Sequence, residues 1–329
     1  MKILRNYTLL SLLIVVVTAC DRDSVESVKF DVTVENGTSV RAGDNINFLF
    51  YGNADYITFY SGCYENNYDN RERTEADLSA LKMTCSIRQQ YNDQEYLNRE
   101  IFFVYLSTDF SGIYTAGELN KATWIPISGR EPNRLPTLAP PSASPVEASG
   151  TIDLSQYVDL GQKFYIAFQY NAFGRTSIPQ ANGNGRYTNR PRIDVTALNM
   201  QKVTADGQEV NVSNAITEWG FRPVYQQSVG NKNYQVNDNG LLFQPQKAAI
   251  DTTTGKEPDE IVWMVSALIN PRSVEPDRGT AIKSIEASLP SYAYTYKEQG
   301  TYTATFVATN ANLWDDSRIV KQIAITVTP

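Results

Sequence analysis

Carboxylates are the main reactive groups of this chain, which has 36 Asp and Glu residues and no histidine. Without imidazole, Ser-His-Asp and Cys-His nucleophile pairs, His-ligated zinc and imidazole proton shuttling are closed. Metal-free carboxylate chemistry stays open, and glycoside hydrolysis is its best-defined form: two acids about 5–5.5 Å apart retain configuration, and two about 6.5–9.5 Å apart invert it. No spacing in the sequence selects such a pair, and acids in loops are ordinarily solvated surface. Asp109, Glu118 and Asp153 have two readings, oxygen ligands for a structural calcium or caps on strand ends. The tryptophans divide by context. Trp263 alternates with Ile261 and Val265, and Trp124 follows Ala122 beside Ile125 and Ile127, so both read as core. Trp314 lies in a polar loop with Asp315 and Asp316, where an exposed ring can stack on the apolar face of a pyranose while a carboxylate takes its hydroxyls. Trp219, with Tyr225 and Tyr234, is a second candidate aromatic patch for the same chemistry.

The N-terminus supplies a different kind of site. Lys2 and Arg5 precede an apolar run from Leu9 to Val17, and Val17-Thr18-Ala19-Cys20 closes it with small residues before a thiol. These are the segments of a secretory leader, and the run is too short for a spanning helix of about 20 apolar residues. The phrase resembles the lipobox of bacterial lipoproteins. That resemblance implies removal of residues 1–19, acylation of Cys20 as the new N-terminus, and a lipidated tether over residues 20–27. Two or three acyl chains would hold it firmly, where one gives only marginal binding. Asp21, Arg22, Asp23 and Glu26 resemble the acidic export signal of gut-anaerobe lipoproteins, which implies the outer membrane with the chain facing the exterior. In that oxidising setting Cys63 and Cys85 either form a disulfide, closing a loop of about 20 residues for roughly 3 kcal/mol, or stay separate thiols. Sequence does not fix their Cα separation.

Charge narrows the partners. The chain carries 29 basic against 36 acidic side chains, and loss of Lys2 and Arg5 with the leader makes it more acidic still. Nucleic acid is a poor partner for such a surface. About 310 residues follow the leader, room for two domains at roughly 100–200 residues each.

Period-2 alternation dominates those residues. Val28, Phe30, Val32 and Val34 alternate with polar residues, then Ile46, Phe48 and Phe50, then Ile57 and Phe59. Ile101 to Leu106 and Phe164 to Phe168 are continuous apolar runs that suit strands buried on both faces. Pro132 to Ser149 is a Pro- and Ser-rich stretch that reads as a long surface loop, and a helical turn or two is predicted only around Glu75 to Leu81. Near the C-terminus Tyr292, Tyr294 and Tyr296 alternate, then Tyr302, Ala304, Phe306 and Ala308, then Ile323, Ile325 and Val327. The class is all-β.

Tyr294-Thr295-Tyr296, Gly300 to Asn310 and Ile323 to Val327 resemble the second half of a PKD-type immunoglobulin-like domain, and Val40 to Phe48 resembles an early turn and strand of its first half. The reading is a discontinuous Ig/PKD-like β-sandwich, residues 28–83 and 269–329, with an inserted jelly-roll-like β-sandwich over residues 84–268. Insertion at an exposed loop is tolerated because the ends of an insert often lie close together. Ser107 to Gly112, Ala122 to Trp124, Ser149 to Leu154 and Tyr165 to Phe168 are similar to phrases of jelly rolls in anchored surface proteins. The whole arrangement, including Gly52 to Gly62, resembles a family of lipoproteins that accompany Sus-type glycan importers. Cys63 departs from it, standing where that family tends to have an acidic residue. The resemblance implies a non-catalytic surface lipoprotein that binds oligo- or polysaccharide beside SusC/SusD-like importer components, with no cofactor beyond a structural calcium. A docking scaffold that binds no sugar and a carboxylate-based glycoside hydrolase are its rivals.

Overall fold

A computed structural model describes residues 24–90, 96, 99–136, 146–176, 190–213, 215–228, 233–245 and 248–329. The leader and Cys20 therefore lie outside the described residues. The chain divides into two compact units, one built from the N-terminal part through Thr74 together with Val274–Pro329, the other spanning Glu75–Ser273.

The first unit begins with β1 (Phe30–Val34), β2 (Ser39–Arg41), β3 (Asn45–Gly52) and β4 (Tyr56–Tyr60). The intervening unit then contributes β5 (Leu78–Gln90), β6 (Phe102–Ser107), helix α1 (Ala116–Leu119), β7 (Ile125–Pro126) and β8 (Val146–Asp153). It continues through β9 (Tyr165–Ala172), β10 (Arg192–Thr204), β11 (Glu209–Asn211), β12 (Arg222–Gln227), β13 (Tyr234–Asn237), β14 (Gly240–Phe243) and β15 (Glu260–Val265). The chain returns to the first unit with β16 (Thr280–Lys283), β17 (Ser291–Thr295), β18 (Gly300–Ala311) and β19 (Asp316–Thr328).

In the first unit a sheet of order β1-β3-β17 faces a sheet of order β16-β4-β18-β19-β2. The alternating residues Phe30, Phe48, Ile57, Phe59, Ala304, Phe306 and Ile325 meet between them as one buried cluster, because a strand with period-2 apolar positions hides them only by facing another sheet. Phe306 lies at the centre, with Phe48 at 4.9 Å and Phe59 at 5.0 Å between ring centroids.

The second unit is also a sandwich. One sheet runs β13-β14-β10-β5-β8 with β11 beside β10, and the other runs β12-β15-β9-β6-β7. Leu81, Met83, Cys85 and Ile87 of β5 pack with Phe102, Val104, Ile166, Phe168, Ile193 and Val195 in its core. Gly240 closes the β13–β14 hairpin at φ 123°, where a Cβ would lie 1.9 Å from the Val195 carbonyl oxygen. Only glycine lets β14 approach β10 there.

The all-β class holds, and several expectations are corrected. The helical turn at Glu75 to Leu81 is a bridge from Glu75 to Ser273 followed by β5, because the alternation Leu81, Met83, Cys85, Ile87 has period 2. Placing the first boundary between residues 83 and 84 would cut that strand, and the units meet at 74/75 and 273/274 instead. Within the Pro-rich stretch β8 starts at Val146 and pairs with β5 as an edge strand, while residues 137–145 lie outside the described residues. Residues 25–27, expected to belong to a free tether, run along the first unit. Val25 donates its N–H to the Asp315 carboxylate, the Asn310 amide donates to the Glu26 carbonyl, and Val28 donates to the Ser317 hydroxyl.

Cys63 and Cys85 are free thiols, which corrects the disulfide reading: β5 aims Cys85 into the second core, while Cys63 is half-buried against the first. Burial pushes the Cys85 thiol up to about 12. Iodoacetamide at about pH 8 is therefore expected to label Cys63 and spare Cys85 until the chain is unfolded, because the thiolate is the nucleophile. Peptide mass analysis reads this out, and protection of both residues in the native chain would contradict it.

Candidate functional site

Among the described residues of the second unit, one candidate for ligand binding is the outer face of the sheet β12-β15-β9-β6-β7. In β6, Phe102, Val104 and Leu106 point into the core and Phe103 and Tyr105 point out, both half-buried. The expectation of a strand buried on both faces fails for these two rings. Register brings Gln169 of β9 opposite both Phe103 and Trp263 of β15. Tyr105 lies 5.1 Å from Trp263, and its hydroxyl donates to Gln169 Oε1 at 3.4 Å.

The aromatic row continues beneath α1. Trp124 lies 5.2 Å from Trp263, and Phe110 lies 5.5 Å from Trp124 and 5.1 Å from Tyr165. The segment carrying α1 covers this end: Thr115 caps the helix by accepting the Glu118 N–H, and the Trp124 indole donates to the Leu119 carbonyl at 3.0 Å. Trp263 is buried, and its indole donates to Gln226, whose amide donates to Asn120. Trp263 thus belongs to a small second core, as its alternation predicts. Trp124 packs on that core from the side, half-buried.

At the β7 end the face forms, among the described residues, a groove of about 650 Å³, lined by Phe103, Tyr105 and Pro126 below and by Glu100, Arg130, Glu131 and Arg134 at the side. The wall is held in place from behind. Val104 donates its N–H to the Ser128 hydroxyl, Gly129 and Leu135 close a turn through the Gly129 N–H and the Leu135 carbonyl, and Asn133 exchanges hydrogen bonds with the Asp153 backbone. Arg130 pairs with Glu100 at 3.3 Å and Arg134 with Glu131 at 3.0 Å. The result is two ring surfaces beside forked donors and carboxylate acceptors, on a loop whose backbone these bonds support. Burial raises the Tyr105 phenol above its usual value.

Sequence reasoning placed ligand binding elsewhere. Trp219 and Tyr234 are buried at 4% and 8% exposure, and Tyr225 is half-buried beside Tyr234 at 5.8 Å. They form core rather than an exposed patch, because Trp219 stacks on Phe221 and Tyr234 packs on Phe243. Trp314 is exposed at 70% in the first unit. Asn312 Oδ1 accepts the N–H groups of Trp314 and Asp315 to shape that loop, and the Asp315 carboxylate is engaged by Val25.

Asp109, Glu118 and Asp153 each serve a separate local purpose. Burial pushes the Asp109 carboxyl upward, but hydrogen bonds from Thr123 and Ser107 outweigh it and hold it below the usual carboxylate value. The Glu118 carboxyl is lowered by hydrogen bonds from Lys121 and Ser111, and Asp153 accepts the Ser155 N–H as a cap. Among the described residues no three acids or cysteines converge as a metal site.

A buried polar cluster occupies another part of the second unit. Arg175, Arg190, Glu257 and Glu260 are each at most 1% exposed. The Arg175 fork donates to both Glu257 oxygens at 2.6 and 3.2 Å, and Arg190 lies 3.4 Å from Glu257 and 3.7 Å from Glu260. Glu260 also accepts from Ser228 and Tyr234, and Glu257 from the Ala248 N–H. These carboxylates are consumed by partners.

The phenols of buried Tyr170, Tyr234 and Tyr296, and the Cys85 thiol, are all pushed up, chiefly by burial. Each folded group holds its proton to higher pH than its unfolded counterpart. Their contribution to stability is complete below the unfolded values, 9.0 for the thiol and 10.0 for the phenols, and is lost as pH rises through and beyond them. The unfolding temperature is expected to be flat near neutrality and to fall steadily from about pH 9 upward, with the part of the tyrosinate absorbance that belongs to these buried phenols appearing together with unfolding. Titration of the phenols without loss of folded structure would contradict it.

Residues 19–220 match the sequence profile of the family described as Domain of unknown function (DUF5017), more than half of the chain. The chain belongs to the DUF5017 family. No curated protein matches it. The DUF5017 match takes in β1 to β4 and the second unit as far as Gly220, so it contains the whole groove but neither Trp263 nor the Trp314 loop. Among the described residues no helix is long and apolar enough to cross a membrane.

Proposed function

We propose that this protein is a non-catalytic glycan-capture lipoprotein, anchored through Cys20 to the outer membrane with its bulk facing the exterior. In this reading it presents oligo- or polysaccharide to a Sus-type importer with SusC/SusD-like components. The observation that carries the binding role is the groove: half-exposed Phe103 and Tyr105 rings beside Arg130, Arg134, Glu100 and Glu131. A pyranose offers an apolar C–H face and a rim of hydroxyls, and stacked aromatics with flanking donors and acceptors complement both. Both acids of the wall are engaged with arginines, which favours binding over turnover. The leader ending in Val17-Thr18-Ala19-Cys20 supports the anchor.

Affinity electrophoresis of the leader-free chain through a panel of polysaccharides tests capture. Retardation by one polymer class is expected, uniform migration across the panel would instead favour a docking scaffold, and release of reducing ends on long incubation would favour a hydrolase. Intact-mass analysis of the native product tests the anchor, and an unmodified Cys20 thiol would overturn it.

A further inference from the structure

The β18–β19 hairpin ends in a tip that exposes Leu313 at 83% and Trp314 at 70%. Large apolar side chains so fully in water call for an explanation when they lie together. Two more exposed apolar residues sit at the same end of this unit. Tyr56 pairs with Thr309 near the end of β18, and Ile285 follows Lys283, whose ammonium reaches the Asp55 carbonyl.

The chain enters the unit at this end. Val25 is bonded to Asp315, Glu26 to Asn310 and Val28 to Ser317, so residues 25–28 run beside the tip. Five Cα-to-Cα steps lead from Cys20 to Val25, and at no more than about 3.6 Å each they reach at most about 18 Å. The 12 residues of β18 extend about 40 Å at 3.4 Å per residue. Acyl chains on Cys20 therefore hold the tip end, rather than the far end of the hairpin, within reach of the bilayer.

We propose that Leu313 and Trp314 insert into the interfacial layer of the membrane that holds the Cys20 acyl chains, so that this sandwich stands on its N-terminal end. The inference rests on the lipid-anchor reading above. Tryptophan suits the position because its ring is apolar and its N–H finds partners among headgroups. Leu313 adds apolar area that a purely interfacial contact buries. The shape of the loop fits: Asn312 Oδ1 satisfies the N–H groups of Trp314 and Asp315, so these two backbone donors need no water at the tip.

The test uses the full acylated chain in phosphatidylcholine vesicles, half of the samples carrying brominated acyl chains. Bromine quenches indole only within the lipid, and the other three tryptophans are buried or half-buried in the second unit. The wild-type chain is expected to float with the vesicles and to lose part of its emission to bromine, and Trp314→Phe is expected to float equally and to abolish that loss. Flotation with no bromine quenching, or with equal quenching in both proteins, would overturn the inference and leave the anchor standing. Failure to float would overturn both. Trp314 emission that stays open to a water-soluble quencher on vesicles, and becomes shielded when a polysaccharide is added, would assign the tip to sugar and also overturn the inference.

Discussion

Glu257→Ala is expected to lower the unfolding temperature of the second unit by about 6–20 °C. Glu257 holds the Arg175 fork in a fully buried site and stands 3.4 Å from Arg190, itself fully buried. Removing the carboxylate takes from Arg175 the group its fork grips and leaves Arg190 facing Glu260, and breaking a buried pair in this way costs about 3–5 kcal/mol. For a unit of this size about 2–4 °C is lost per kcal/mol. The exchange Arg175→Met with Glu257→Met removes both partners and is expected to be milder than Glu257→Ala alone, because the desolvation cost of the pair disappears with it. Scanning calorimetry of the three proteins decides the matter. Equal losses for the single and double variants would mean that packing, not charge, dominates the cluster.

Tyr105→Ala is expected to weaken glycan retardation at least 30-fold while shifting the unfolding temperature much less than Glu257→Ala. The ring is the central apolar surface of the groove, supported from below by Trp263 at 5.1 Å. Truncating an anchor of this kind costs 2 kcal/mol or more, and each 1.4 kcal/mol is tenfold in affinity. Tyr105→Phe keeps the stacking surface and loses only the long bond to Gln169, so it is expected to retain most of the binding. Phe103→Ala is expected to fall between the two. Trp314→Ala, in the other unit, is expected to leave retardation unchanged. Full binding by Tyr105→Ala would remove the groove from consideration, and loss of binding in Trp314→Ala would return the site to the hairpin tip.

The strands of the first unit are legible in the chain because each has one wet face and one dry face, and the alternation of Phe30, Val32, Phe48, Phe59 and Phe306 is a direct record of that. The helix expected near Glu75 shows the limit of local propensity: Glu75 to Leu81 contains good helix formers, but Leu81, Met83, Cys85 and Ile87 meet the core only in extended backbone. The groove was hidden for a related reason. An unbroken run from Ile101 to Leu106 reads as buried on both sides, and nothing local says that α1 covers the outer face at Trp124 and stops short of Phe103. Trp219 and Tyr234 were misplaced because a tryptophan near a glycine is equally compatible with a surface loop and with a core corner. Their burial is set by Phe221 and Phe243, residues close in sequence whose ring positions depend on the strands around them.

By itself, then, the sequence determined the all-β class and the lack of imidazole, while the interrupted first sandwich and the expectation of a lipid-modified N-terminus came from its resemblance to known families. The class and the lack of imidazole rest on short-range periodicity and on composition, which are properties of the residues taken locally. Tertiary structure alone decided that Cys63 and Cys85 stay apart, that Arg175 and Glu257, separated by 82 residues, share one buried site, and that Phe103 and Tyr105 remain partly open. Each depends on which strands pair across long stretches of chain, and that choice is made by the total burial of two sheets at once.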